Sequence, residues 1–288
     1  MYRSVRLVRI AISLIALAVP TWALLVGYDS LFARIQIFPS LLAGTAVYLI
    51  FWVIVTLLYG RIYCSTVCPM GTLIDCISAG RRLALRKKSD YRYCSPSVRT
   101  RLVFLIIAFA AVLSEIAVLP TILDPYSAYA RMVNEFIARP LGIVSDGSRF
   151  TISAFALATL TAVSVAIFSW RRGRLICNTA CPIGTLLGYG ARRAYFHIEI
   201  DPDRCINCGE CERVCKAQCI KLPEKIVDNS RCVVCFNCTT VCPNSAIAYK
   251  SGRYRLGLPL MQSVEGHSQN TQTTNRHGIE QNIKTHNK

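Results

Sequence analysis

Apolar residues in this chain come in long unbroken runs, and the charges are swept into the joints between them. The runs 10–27, 35–60 and 150–170 contain no charge, and 102–123 contains only Glu115. Each is close to the ~20 residues that a helix needs to cross a bilayer. One such run alone could be the core helix of a soluble protein. Four of them predict a polytopic membrane domain.

The joints then predict orientation, because Lys and Arg stay on the cytoplasmic side. Arg3, Arg6 and Arg9 precede the first run, Arg81, Arg82, Arg86, Lys87 and Lys88 lie between the second and third, and Arg171, Arg172 and Arg174 follow the fourth. The joints 28–34 and 124–149 carry balanced charge. Both termini are therefore expected in the cytoplasm of a multi-pass protein of the inner membrane. The first run is long enough to stay in the bilayer, so it is not read as a cleavable signal.

A repeat sits at the same face. "GRIYCSTVCPMGTL" from Gly60 and "GRLICNTACPIGTL" from Gly173 agree at nine of fourteen positions. Each half thus reads span, outer loop, span, Cys-x3-Cys-Pro, the pattern of a duplicated helical hairpin. Proline suits a first helical turn, so short amphipathic helices at the inner surface are expected after Pro69 and Pro182.

Composition narrows the chemistry. The chain is 53% hydrophobic with net charge +17, and among membrane spans that excess reads as topology and lipid contact, not nucleic-acid binding. Fifteen cysteines, an odd number in short spacings, argue for metal or redox chemistry over a disulfide framework. "CINCGECERVC" and "CVVCFNCTTVCP" are each C-x2-C-x2-C-x3-C, a two-cluster ferredoxin spacing in which each fourth cysteine serves the other cluster. Cys205, Cys208, Cys211 and Cys242 are assigned to one [4Fe–4S] centre, and Cys232, Cys235, Cys238 and Cys215 to the second. Zinc sites rarely use such a run. Lys216 stands where the second run has Pro243, and Cys219 aligns with Ala246 and reads as a small buried filler. Cys76 and Cys94 have no partner in the repeat and read as bystanders.

Cys64, Cys68, Cys177 and Cys181 form two matched thiol pairs at the expected inner face. A third iron–sulfur centre, a thiol–disulfide couple and Cu(I) capture are all open readings, beside a purely structural one. Glu115, the one ionisable residue deep in a run, and Asp124, expected near the outer interface, are candidate proton acceptors for a quinol. No histidine lies in any run, so a bis-histidine haem is excluded as the path across the membrane.

The combination of four runs, two Cys-x3-Cys-Pro segments and a trailing two-cluster module resembles the NapH/MauN ferredoxin-type membrane proteins over about residues 1–250. The resemblance implies quinol oxidation, with electrons passed through iron–sulfur centres to a redox partner protein. It also implies that the four thiols of the repeat are functional. Relatives that handle copper suggest a second class, a metal reductase or assembly factor. The expected fold is an all-α polytopic membrane domain followed by a small α+β two-cluster ferredoxin domain. Its parts are 1–101 and 102–196 (the two hairpins), 197–250 (the ferredoxin) and a polar, disordered tail over 251–288. Lipid, quinone and a redox protein are the expected partners.

Overall fold

A computed structural model describes residues 2–26, 36–37, 46–85, 91–113, 122–143 and 152–252. The described residues all belong to one compact unit. Helix α1 (Tyr2–Val26) and helix α7 (Ile152–Arg172) are long and apolar enough to cross a membrane. Helices α2 (Ala46–Tyr59) and α5 (Val98–Leu113) fall in the other two expected spans. With 14 and 16 residues they reach only about 21 and 24 Å, against a hydrocarbon core of ~30 Å. The described residues thus carry two candidate spans of the four expected. Glu115 and most of the polar tail lie outside the described residues. Leu7, Trp22, Val47, Phe109, Ile152 and Leu160 point outward, giving these helices an apolar exterior.

Helix α1 starts earlier than the hydrophobic pattern predicts, taking in its basic residues. Arg9 is buried, donating to the Ser65 carbonyl at 3.1 Å. It thus has a packing role beyond marking topology.

The two repeated segments take one local form. Gly60 (φ +78°) follows α2 and Gly173 (φ +61°) follows α7, each in the left-handed region where glycine carries no steric penalty. Short helices α3 (Tyr63–Thr66) and α8 (Leu175–Thr179) come next. Pro69 and Pro182 then open α4 (Pro69–Leu85) and α9 (Pro182–Ala191). These are not simply surface helices. Met70, Gly71, Thr72 and Ile74 of α4 are buried, as are Ile183, Gly184, Thr185 and Leu187 of α9. Helix α4 packs on α1 and α7, and α9 on α2 and α5.

Between α5 and α7 lies α6 (Pro125–Val133), continued by a π-helical turn at Asn134–Ala138. Tyr126, Ala128, Tyr129, Met132 and Val133 are buried, and α6 packs against α1, α4 and α7. A loop at the outer interface would not bury such a row.

The C-terminal part is built on two antiparallel strand pairs. Strand β1 (Phe196–Ile200) pairs with β4 (Ile247–Ser251), Ile200 opposite Ile247, and β2 (Ile220–Lys221) pairs with β3 (Ile226–Val227). Short helices α10 (Glu210–Arg213) and α11 (Asn237–Val241) lie between them in sequence. The helical part holds this module by backbone as well as by side chains. Tyr195 donates its amide to Leu57 O at 2.9 Å, and Tyr249 Oη donates to Tyr59 O at 2.9 Å.

Candidate functional site

The repeated segments bring Cys64, Cys68, Cys177 and Cys181 to the wall of one cavity of about 200 Å³. The first thiol of each pair lies in a short helix, α3 or α8, and the second directly precedes the Pro-led helix α4 or α9. Cys181 Sγ caps α9, accepting from the Gly184 amide at 3.3 Å. Burial pushes Cys68 and Cys181 well up, and Cys177 up to about 11 against the pull of Arg174.

Two arginines cross between the segments. Arg61, of the first, donates to Asn178 Oδ1 of the second at 2.7 Å, to Ser230 O at 3.1 Å, and lies 3.7 Å from Cys64 Sγ. Arg174, of the second, donates to Cys64 O at 2.5 Å and Gly71 O at 3.0 Å in the first. Both side chains are fully buried. Glycine at the matched positions makes room. A Cβ on Gly184 would sit 2.3 Å from Cys177 O and 2.8 Å from Arg61 Nη2, and one on Gly71 would sit 2.5 Å from Cys64 O.

Symmetry breaks at Asp75, whose counterpart in the second segment is Gly188. Asp75 Oδ1 accepts from Arg174 Nε at 2.8 Å and pairs with Lys216 Nζ at 3.2 Å, while Arg9 Nη1 lies 3.6 Å from Oδ2. Burial works against its charge, but the three cations hold the carboxyl well below the usual range.

Asp124 lines the same cavity as the four thiols. This corrects the expectation of opposite faces: Asp124 is the N-cap of the buried α6. Its Oδ2 accepts from Ser127 N at 2.7 Å and Ser127 Oγ at 2.8 Å. Its Oδ1 is buried and accepts no well-formed hydrogen bond, with the Tyr126 amide nearby. Burial lifts the carboxyl to about 6 in spite of the Ser127 bonds.

In the C-terminal module the cysteines divide between two cavities. Cys205, Cys208, Cys211 and Cys242 line the first. Cys215, Cys232, Cys235 and Cys238 line the second, and Cys219 lines it too. The backbone around them is bent the same way in both runs. Asn207 (φ +56°) matches Val234 (+50°), Gly209 (+81°) matches Phe236 (+58°), and Gln218 (+53°) matches Ser245 (+50°). A valine held in the left-handed region is costly, and Val234 is buried where it adopts it. Among the described residues no three His, Cys, Asp or Glu side chains converge on one ion. Thiols ringing a cavity suit a polynuclear centre, where zinc would draw them to ~2.3 Å from one point. The Cys219 Sγ lies 3.5 Å from Cys215 Sγ, a contact that draws the Cys215 thiol down.

Comparison with known proteins agrees with this donor set. A model described as a 4Fe-4S binding domain matches residues 42–89 and 153–197, the stretches holding the two Cys-x3-Cys segments. A second model of the same description matches residues 197–220. The chain carries 4Fe–4S binding domains. Iron–sulfur clusters are therefore the cofactor that its cysteines indicate. It is 26% identical over 174 residues to the uncharacterized protein MJ0749 of Methanocaldococcus jannaschii, covering 60% of this chain and 58% of that one. It is 27% identical over 183 residues to an Escherichia coli protein provisionally named as the electron transport protein YccM, covering 62% and 48%. To MJ0750 of M. jannaschii it is 26% identical over 175 residues, covering 60% and 66%. The chain thus spans between about half and two thirds of the length of these relatives. No solved structure matches it.

Sequence reasoning set Lys216 beside a cluster, where its charge would favour the reduced form, but passed over Asp75 and the packing roles of Arg61 and Arg174. The signals were present: Gly-Arg opens both copies of the repeat, and Asp75 is the single acidic residue between Gly60 and Ser89. The positive-inside rule explained the arginines too quickly.

Proposed function

We propose that this is a membrane-bound electron-transfer protein that oxidises a quinol at the thiol-lined cavity and passes electrons through iron–sulfur centres to a redox partner, as the resemblance to NapH/MauN proteins implies. The observation that carries this reading is the shared cavity. An apolar chamber walled by Thr161 and Val165 of α7, the buried Asp124 carboxylate and four thiols suits a ring bearing hydroxyls.

The thiols of Cys64, Cys68, Cys177 and Cys181 hold a third iron–sulfur centre in this reading. Arg61 supports it: among the described residues this buried guanidinium has a thiol and neutral oxygens for hydrogen-bond partners, and thiolate ligation would set an anion beside it. Iron–sulfur centres, when bound, accept and release single electrons. The part of the protein is to place the quinol and take its protons. Asp124 accepts a hydroxyl proton, and its raised pKa suits a base at neutral pH. Both termini and the C-terminal module lie in the cytoplasm.

Iron, sulfide and copper per chain in anaerobically purified protein test the cofactor, and reduction of its visible absorbance by duroquinol tests the donor. Three centres and quinol-dependent bleaching are expected. Copper at the four thiols, or bleaching by dithionite alone, would refute the quinol reading. An exported reporter that is active when fused after Lys250 would refute the orientation.

A further inference from the structure

Asp75 sits at a junction of four chain segments. Arg9 comes from α1, Asp75 from the first Cys-x3-Cys segment, Arg174 from the second and Lys216 from the C-terminal module; the three cations are buried and Asp75 is 13% exposed. The backbone reinforces the joint, since Arg174 N donates to Lys216 O at 3.0 Å. A Cβ on Gly173 would lie only 2.9 Å from that carbonyl. The residue usually found after such a fourth cysteine is proline, which offers no charge. Lys216 here reaches the carboxylate instead.

The same three cations have a second neighbour. Arg9, Arg174 and Lys216 each act electrostatically on the Cys235 thiol. Arg174 also acts on Cys68 and Cys177 of the quartet. Cys235 packs, as Cys177 and Cys181 do, against the core that contains Cys64 and Cys68, while its own cavity holds Cys215, Cys232 and Cys238. The Asp75 cluster therefore lies between the thiol quartet and the nearer of the two module cavities.

We propose that Asp75 and Lys216 form a positioning pair that docks the C-terminal module with Cys235 toward the thiol quartet and sets the potential of the centre held by Cys215, Cys232, Cys235 and Cys238. This rests on the reading that those thiols hold a cluster. The electrostatics are direct. Reduction makes such a centre more negative, so nearby positive charge favours the reduced form and nearby negative charge opposes it. Three cations against one carboxylate leave the junction net positive. Cys208 is exposed at the other cavity, which leaves the centre of Cys205, Cys208, Cys211 and Cys242 on the outward side.

EPR-monitored redox titration of the purified full-length protein tests the pair. Asp75→Asn should raise the midpoint potential of one module centre, Lys216→Met should lower it, and Lys216→Arg should leave it near its original value. The other module centre should move little in all three. A role confined to holding parts together predicts shifts of one sign in both neutralising variants, because each would admit water. Shifts of the same sign, or no shift with iron retained, would overturn the proposal. If Asp75→Asn does not fold, the contrast between Lys216→Met and Lys216→Arg decides the matter. Absence of any module EPR signal from the unsubstituted protein would overturn the cluster assignment itself, a separate failure.

Discussion

Arg61 reaches out of its own Cys-x3-Cys segment and donates to Asn178 in the other, 2.7 Å away and 117 positions along the chain. Arg174 makes the reciprocal crossing to Cys64 O and Gly71 O. Each thiol pair is therefore braced by the guanidinium of the opposite copy. Neither segment can be complete alone, a physical reason for the chain to carry both.

The crossing depends on missing side chains. In Gly184→Ala the new methyl would meet Cys177 O at 2.3 Å and Arg61 Nη2 at 2.8 Å. Backbone cannot yield cheaply there, so a loss of roughly 1–3 kcal/mol is expected. Gly80→Ala is the control: nothing lies within 4 Å of its Cβ, and alanine should stabilise α4 by up to about 1 kcal/mol. Thermal unfolding in detergent should lower the midpoint for the first and hold or raise it for the second. Iron bound by the quartet should fall only in Gly184→Ala.

Asp124 gives a pH dependence with a definite sign. As a base it works only when ionised, so quinol-dependent reduction should rise as pH climbs through about 6. Asp124→Asn should cut that rate at least tenfold and leave dithionite reduction intact, as loss of a general base does. Stability runs the other way. The folded carboxyl binds its proton more tightly than the unfolded one, so the contribution of protonated Asp124 is complete below the ordinary value of 3.8 and disappears as pH rises to about 6. Stopped-flow rates and unfolding midpoints between pH 4 and 8 check both slopes. A flat rate profile in the unsubstituted protein would remove Asp124 from the reaction.

Local spacing made part of this site legible. Cysteine periodicity grouped the module thiols as the cavities do, because each C-x2-C-x2-C loop has little freedom in where its sulfurs point. The repeat marked Cys64, Cys68, Cys177 and Cys181 because near-identical segments fold alike. Asp124 was misplaced for the opposite reason. Hydropathy reports whether a segment is apolar, and it does not report that α6 buries Tyr126 and Tyr129 and packs against α1, α4 and α7. Asp75 was missed because its partners Arg9, Arg174 and Lys216 lie 66, 99 and 141 positions away, and no local pattern records such pairs.

Cys242 and Cys219 test the division of thiols in the module most sharply. Cys242 follows the second run in sequence but lines the cavity of Cys205, Cys208 and Cys211. Its sulfur accepts from the Ala246 amide at 3.2 Å, which fixes its direction. Cys242→Ser should therefore damage the centre of the first run and spare the other. Cys219 is different. It lies 3.5 Å from Cys215 Sγ, a contact in which either sulfur could be the donor, and with Cys215 ligating a cluster the Cys219 thiol would be the one to donate. A donor to a ligand sulfur stabilises the reduced state. Cys219→Ala should keep both module centres at full iron content and lower the potential of the one that Cys215 serves. Iron analysis with EPR titration separates the cases. Loss of a whole centre in Cys219→Ala would make Cys219 a ligand and release Cys215 from that role, reversing the assignment at the cavity nearest the membrane thiols.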